Sequence, residues 1–129
     1  MASEHEQIVR DWADAFNRGD MDAVLAIVHP DVELSDPERT GRSWRGQDEY
    51  LEFAREWLEA FDTYSLHLDE IEDGPDGTFV RGTQRGKGAG SGLEFELPIH
   101  FAVRFRDGRV VYNGIATDPE TARREVGLD

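Results

Sequence analysis

The chain has 129 residues, with 28 acidic against 14 basic side chains, a formal charge of −14 at neutral pH and no cysteine. A chain of this length builds one compact domain, here residues 1–129, with enough apolar content for a single core. The missing cysteines exclude disulfide frameworks, thiol nucleophiles and iron–sulfur clusters, and the negative charge repels phosphate backbones, so nucleic acid is not an expected partner.

The longest strongly apolar run, Ala23–Val28, is far too short to span a bilayer, and the opening MASEHEQ is acidic where a signal peptide would be basic and then apolar. The expectation is a soluble, cytoplasmic protein with no membrane partner. Residues 3–18 predict a helix: Ser3 and Glu6 have capping-box spacing, and Ile8, Trp12, Ala15 and Phe16 recur on one side. Gly19 stops it, and Asp20 caps a second helix, Met21–Val28, closed by His29 and Pro30. From Asp31 the period falls to two. Val32, Leu34 and Asp36 share one face until Pro37 breaks the strand.

Residues 37–46, PERTGRSWRG, read as a turn-rich connection, and 47–62 as a third helix with Tyr50, Phe53, Ala54, Trp57 and Phe61 as its apolar stripe. Four strands follow: Ser65–Glu72, Thr78–Lys87, Leu93–Arg106 and Arg109–Thr117, the last two joined at Asp107-Gly108. In the longest, the odd positions from Leu93 to Phe105 are expected on the core face and His100 outside. Asp118, Pro119 and Glu120 start a closing helix to about Val126. The reading is an α+β fold: three helices toward the N-terminus packed on a curved antiparallel sheet, with a short C-terminal helix.

The segments AFNRGDMDAVLAIVHPDVELSDP (Ala15–Pro37), RGKGAGSG (Arg85–Gly92) and RFRDGRVV (Arg104–Val111) together resemble the SnoaL-like branch of the nuclear-transport-factor-2-like superfamily. That superfamily also holds ketosteroid isomerase, limonene epoxide hydrolase and polyketide cyclases. The resemblance implies a cone with a hydrophobic pocket for a small ligand and a homodimer formed through the outer sheet face. It does not fix an activity, because one scaffold hosts enzymes and binding modules.

Asp36 is the candidate catalytic residue. Its strand parity sends it inward with Val32 and Leu34, and a carboxylate withdrawn from water without a partner suits a general base. Asp36-Pro37 also looks like the dipeptide at which the ketosteroid isomerases carry their proton-abstracting aspartate. The competing reading pairs Asp36 with Arg39 or Arg42 and leaves a non-catalytic binding or scaffold module. The isomerases' oxyanion-hole tyrosine falls on Trp12 here, and their protonated aspartate on Phe101 or His100, so the donors for steroid isomerisation are missing. An epoxide-hydrolase relay would have Arg81 as its arginine but no second aspartate nearby.

Trp12, Trp44, Phe53, Gln84, Phe101 and Tyr112 are the candidate ligand-lining residues, each with packing as its alternative. His67 is read as a rim or surface group and His29 as a helix-end cap. No two histidines have metal-ligand spacing, so neither metal nor cofactor is expected. The glycines at 86, 88, 90 and 92 lack the Lys-Ser/Thr ending of a phosphate loop and are read as a hairpin turn, and the acids of 69–76 lack calcium-loop spacing. Activity is left open between an isomerase, cyclase or lyase without cofactor and a binding module. An adaptor docking through the acidic surface is a third reading.

Overall fold

The computed structural model of the chain describes residues 3–128. Met1, Ala2 and Asp129, which belong to the expected 1–129 domain, lie outside the described residues. Helix α1 (Glu4–Asn17) begins where expected: Ser3 Oγ accepts from the Glu6 amide at 3.0 Å, while the Glu6 carboxylate turns to Arg10 rather than back to the cap. Asp20 caps α2 (Met21–Ile27) by accepting from the Ala23 amide. The chain then enters β1 (Val28–Asp36) through His29 and Pro30. The His29 ring accepts from the Asp31 amide, so it sits in the strand rather than capping the helix.

The connection after Pro37 contains a strand that composition hid. β2 (Arg42–Arg45) folds back on β1 as an antiparallel hairpin, with Asp36 opposite Arg42 and Leu34 opposite Trp44. Helix α3 (Gly46–Glu59) follows. It therefore stands after two strands, and the described residues have two helices, not three, before the sheet begins. The helix ends short of Phe61, which instead opens β3 (Phe61–Gly74) and pairs with Gly88. β4 (Gly77–Gly88), β5 (Glu94–Arg106) and β6 (Arg109–Ala116) complete the meander, and Asp118 caps α4 (Pro119–Glu125) through the Thr121 amide.

Among the described residues these strands form one six-stranded sheet in the order β2-β1-β6-β5-β4-β3. The sheet is mixed, not antiparallel as expected, because β1 and β6 run parallel. The reason lies in the route: α3 carries the chain from the β1–β2 edge to the opposite edge, and the hairpins that return bring β6 to β1 in the same direction. Curvature comes from irregularities. An extra residue at Asp69 shifts the β3–β4 register between Leu68 and Glu70, and a second shift falls on β6 opposite Arg104 and Phe105. At the first bend Gly82 is required, since a Cβ there would stand 2.8 Å from the His67 carbonyl oxygen.

The main core fills the concave face, where Val9, Trp12 and Phe16 of α1 meet Val32, Leu34, Val80, Phe101 and Ile115 of the sheet. A smaller cluster lies on the outer face, where Ala122 and Val126 cover Phe79, Ala102 and Ala116. At this end the chain's own helix occupies the surface to which the resemblance assigns a dimer contact. The odd positions of β5 are not uniformly buried. Ile99, Phe101 and Val103 are, but Leu97 is 55% and Leu93 72% exposed, because β6 ends at Ala116 opposite His100 and leaves that end of β5 paired with β4 alone.

Asn17 ties α1 to the sheet. Its amide donates to the Leu66 carbonyl and accepts from the Leu66 N–H, both at 2.8 Å, so one side chain replaces a missing strand partner. Asn17→Ala leaves both backbone groups without a partner and is expected to cost about 1–3 kcal/mol, read as a lowered denaturation midpoint with an unchanged slope in urea.

Candidate functional site

The β1–β2 hairpin and α3 enclose a cleft of about 290 Å³ at the open end of the cone, bordered by Asp36, Arg39, Arg42, Trp44, Trp57 and Phe61. Asp36 reaches it because β1 keeps its alternation to the last residue, burying Val32, Leu34 and Asp36 in turn. Asp36 is 1% exposed. Its Oδ2 lies 3.4 Å from both the Arg39 Nε and the Thr40 hydroxyl, while its Oδ1 is buried and has no hydrogen-bond partner. The two expectations for Asp36 therefore each describe one oxygen: the pairing with Arg39 exists, and half of the carboxylate is not engaged by it.

Guanidinium groups close over this region. Arg39 lies 4.7 Å above the Trp57 ring and Arg42 4.6 Å above Trp44, whose opposite neighbour is Phe53 at 4.8 Å. Arg42 also faces Glu56 at 3.6 Å. Cation–π contact and pairing hold both groups without burying them, since Arg39 and Arg42 are 39% and 53% exposed. Trp44 itself is buried, and its indole N–H has no acceptor.

Deeper in the cone almost no space remains. The cavity between Trp12, Phe16, Leu34, Phe101, Asn113 and Ile115 measures about 20 Å³, room for about one water molecule. Trp12 fills it. Its indole donates to the Tyr50 hydroxyl at 2.8 Å and its ring meets Phe101 edge-on at 5.9 Å. Burial pushes the Tyr50 phenol up to about 12, against the opposing effect of hydrogen bonds from Asn113 and Trp12. Asn113 Oδ1 is buried without a partner on the same wall.

The structure brings Asp36, Trp44 and Phe53 together at the mouth and places Trp12 and Phe101 in the filled interior. Gln84 points inward but lines neither space, its Oε1 accepting from Tyr64 at 2.7 Å. Tyr112 is on the other side of the sheet. The β6 bulge lets Val110 and Asn113 both face inward, which turns Tyr112 outward to bond Glu125 beneath Arg104. Arg81 pairs with Glu70 on the outer face and belongs to no relay. His67 is exposed beside Asp69, and His100 faces outward yet is buried against Phe79.

Tyr50 and Asn113 were not singled out from the sequence as polar groups. Tyr50 sits within an apolar helical stripe, and Asn113 is in phase with the core only once the bulge is known. Among the described residues, no group of three or more His, Cys, Asp or Glu side chains is placed to hold a metal ion, and no helix is long and apolar enough to cross a membrane.

Residues 9–113 match the model of the SnoaL-like domain. The chain belongs to that family. Among solved structures, this SnoaL-like domain is similar to a nuclear-transport-factor-2-like protein of unknown function from Burkholderia pseudomallei. The two are 28% identical over 98% of this chain and 99% of the other, with a TM-score of 0.80. A protein from Sinorhizobium meliloti, provisionally assigned as a polyketide cyclase, is 25% identical over 85% of this chain and 94% of its own, with a TM-score of 0.69. The fold is also shared by TerC, crystallised with polyporic acid, at 22% identity over 96% and 98% of the two chains and a TM-score of 0.79. None of the curated proteins matches this chain in sequence.

The buried phenol gives a pH signature. Tyr50 titrates near 12 in the folded protein against 10.0 when exposed, so between these values the unfolded chain binds fewer protons and stability falls as pH rises. Tyr50→Phe is expected to flatten that fall, measured as urea stability at pH 9, 10 and 11, while lowering stability at pH 7 through loss of the acceptor for Trp12.

Proposed function

We propose that this SnoaL-like protein binds a small hydrophobic molecule at the mouth of the cone and uses Asp36 as a general base, in isomerase, cyclase or lyase chemistry that needs no cofactor. The observation that carries this reading is the division of labour within one carboxyl group. Arg39 and Thr40 hold Oδ2 and fix the plane, while Oδ1 remains a buried acceptor at the wall of a cleft. A positioned carboxylate within reach of an activated C–H removes the proton and returns it elsewhere on the same molecule.

Size favours the mouth over the interior. A cavity of about 20 Å³ does not admit a ring, whereas about 290 Å³ between aromatic walls approaches the lower range of small-molecule sites. Trp57, Phe53 and Phe61 present faces and edges suited to a flat or alicyclic ligand. The neighbour provisionally assigned as a polyketide cyclase, and the one crystallised with polyporic acid, are consistent with a small organic ligand of the polyketide kind.

The second reading, a binding module without turnover, is favoured by the Arg39 contact with Asp36 at 3.4 Å. Asp36→Asn separates the two. With 2-tetralone as probe, deuterium uptake at C1 in D2O followed by NMR is expected to be catalysed by the wild type and to fall about a hundredfold in the variant. Binding, followed by tryptophan fluorescence, should change much less. Equal uptake by the two proteins removes Asp36 as base and leaves the module.

A further inference from the structure

The mouth of the cone holds a second unsatisfied group whose chemistry is the complement of the first. Asp36 Oδ1 is a buried acceptor without a donor, and Trp44 Nε1–H is a buried donor without an acceptor. Both side chains line the same cleft and both are nine-tenths or more buried, at 1% and 5% exposure. They belong to one short hairpin. Asp36 stands opposite Arg42 and Leu34 opposite Trp44, so Asp36 and Trp44 are diagonal neighbours on the same face of β1–β2, a spacing that long side chains span. An orphaned buried donor or acceptor destabilises the fold, and one of each sign on adjacent rungs is what a single ligand with a paired donor and acceptor would satisfy.

Resting on the proposed role of Asp36, we infer that Trp44 supplies the oxyanion donor of this site, and that its substrates are small enolisable carbonyl compounds. Such a molecule places its carbonyl oxygen on Trp44 Nε1 and its acidic α-C–H toward Asp36 Oδ1. As the C–H bond breaks, its proton passes to Asp36 and its electron pair moves through the new C=C bond onto the oxygen, giving an enolate that accepts the indole hydrogen bond. Return of the proton from Asp36 to the same carbon or to a conjugated one completes the cycle, with no net oxidation and no other reactant. A neutral indole is a weaker donor than an acidic phenol, but in a site closed to water its bond to developing charge strengthens.

Arg42 stands over the ring that carries this donor. Its guanidinium covers the Trp44 ring at 4.6 Å and is half-exposed, held on its other side by Glu56 at 3.6 Å. Trp44 Nε1–H, without an acceptor, is the donor left for a ligand at this cleft. Trp12, whose N–H is already taken by Tyr50, does not serve this purpose.

The test uses the full chain, 2-tetralone as substrate probe and 2-naphthol as a flat mimic of its enol. Trp44→Phe keeps the ring between Arg42 and Phe53 and removes only the N–H. It is expected to slow deuterium uptake at C1 of 2-tetralone by about a hundredfold. In the 15N-labelled wild type, 2-naphthol is expected to move the Trp44 indole N–H resonance downfield, identified by its loss in Trp44→Phe, while that of Trp12 stays in place. A merely structural role for Trp44 moves neither readout in this way. If Asp36→Asn abolishes uptake but Trp44→Phe retains the wild-type rate and the Trp44 resonance does not shift, the donor assignment is overturned and the base assignment stands. If the wild type neither catalyses uptake nor responds to 2-naphthol, both are overturned.

Discussion

The hydrogen bond from Trp12 to Tyr50 decides where a ligand can sit. It joins the first helix to the third across the concave face of the sheet, and the two large rings take up volume that would otherwise form a chamber. Each ring is apolar in body and polar at one point, so the pair is stable in the interior only because each satisfies the other. With the chamber filled, the Asp36 carboxyl group is left at the rim, beside the larger cleft. The hairpin that carries it forms one wall of that cleft.

That arrangement separates stability from chemistry along the chain. The inner wall is held by close packing of Phe101, Val80 and Ile115 against α1, and changes there act on the whole fold. The rim is held by polar and cation–π contacts among Asp36, Arg39, Arg42, Trp44, Trp57 and Glu56. These contacts are individually weak and partly exposed to solvent. A rim built this way rearranges around a guest at small cost.

Much of the architecture was legible from periodicity and caps. The Ser3, Asp20 and Asp118 caps, the inward phase of Val32, Leu34 and Asp36, and the hairpin at Asp107-Gly108 all follow from local chemistry, and the structure contains each of them. The misreadings have a common cause. β2 is four residues long and lies among arginines, too short for alternation to register. Tyr112 and Asn113 exchange faces because a bulge inserts one residue, and Leu97 is exposed because its neighbouring strand stops. Strand parity is a local rule, while bulges and strand ends are set by neighbours distant in sequence. The parallel β1–β6 pairing escaped for the same reason, since direction depends on the whole path through α3.

The hairpin also bears on how such a scaffold diversifies. Asp36 and Trp44 sit on β1 and β2, and β2 is the outermost strand, bonded along one side only. Replacing the span from Asp36 to Trp44 with that of another family member would exchange both unpartnered groups of the cleft as one cassette. The helices, the buried rings and the four-stranded meander would stay untouched, so reactivity in this architecture can drift without asking the core to be redesigned.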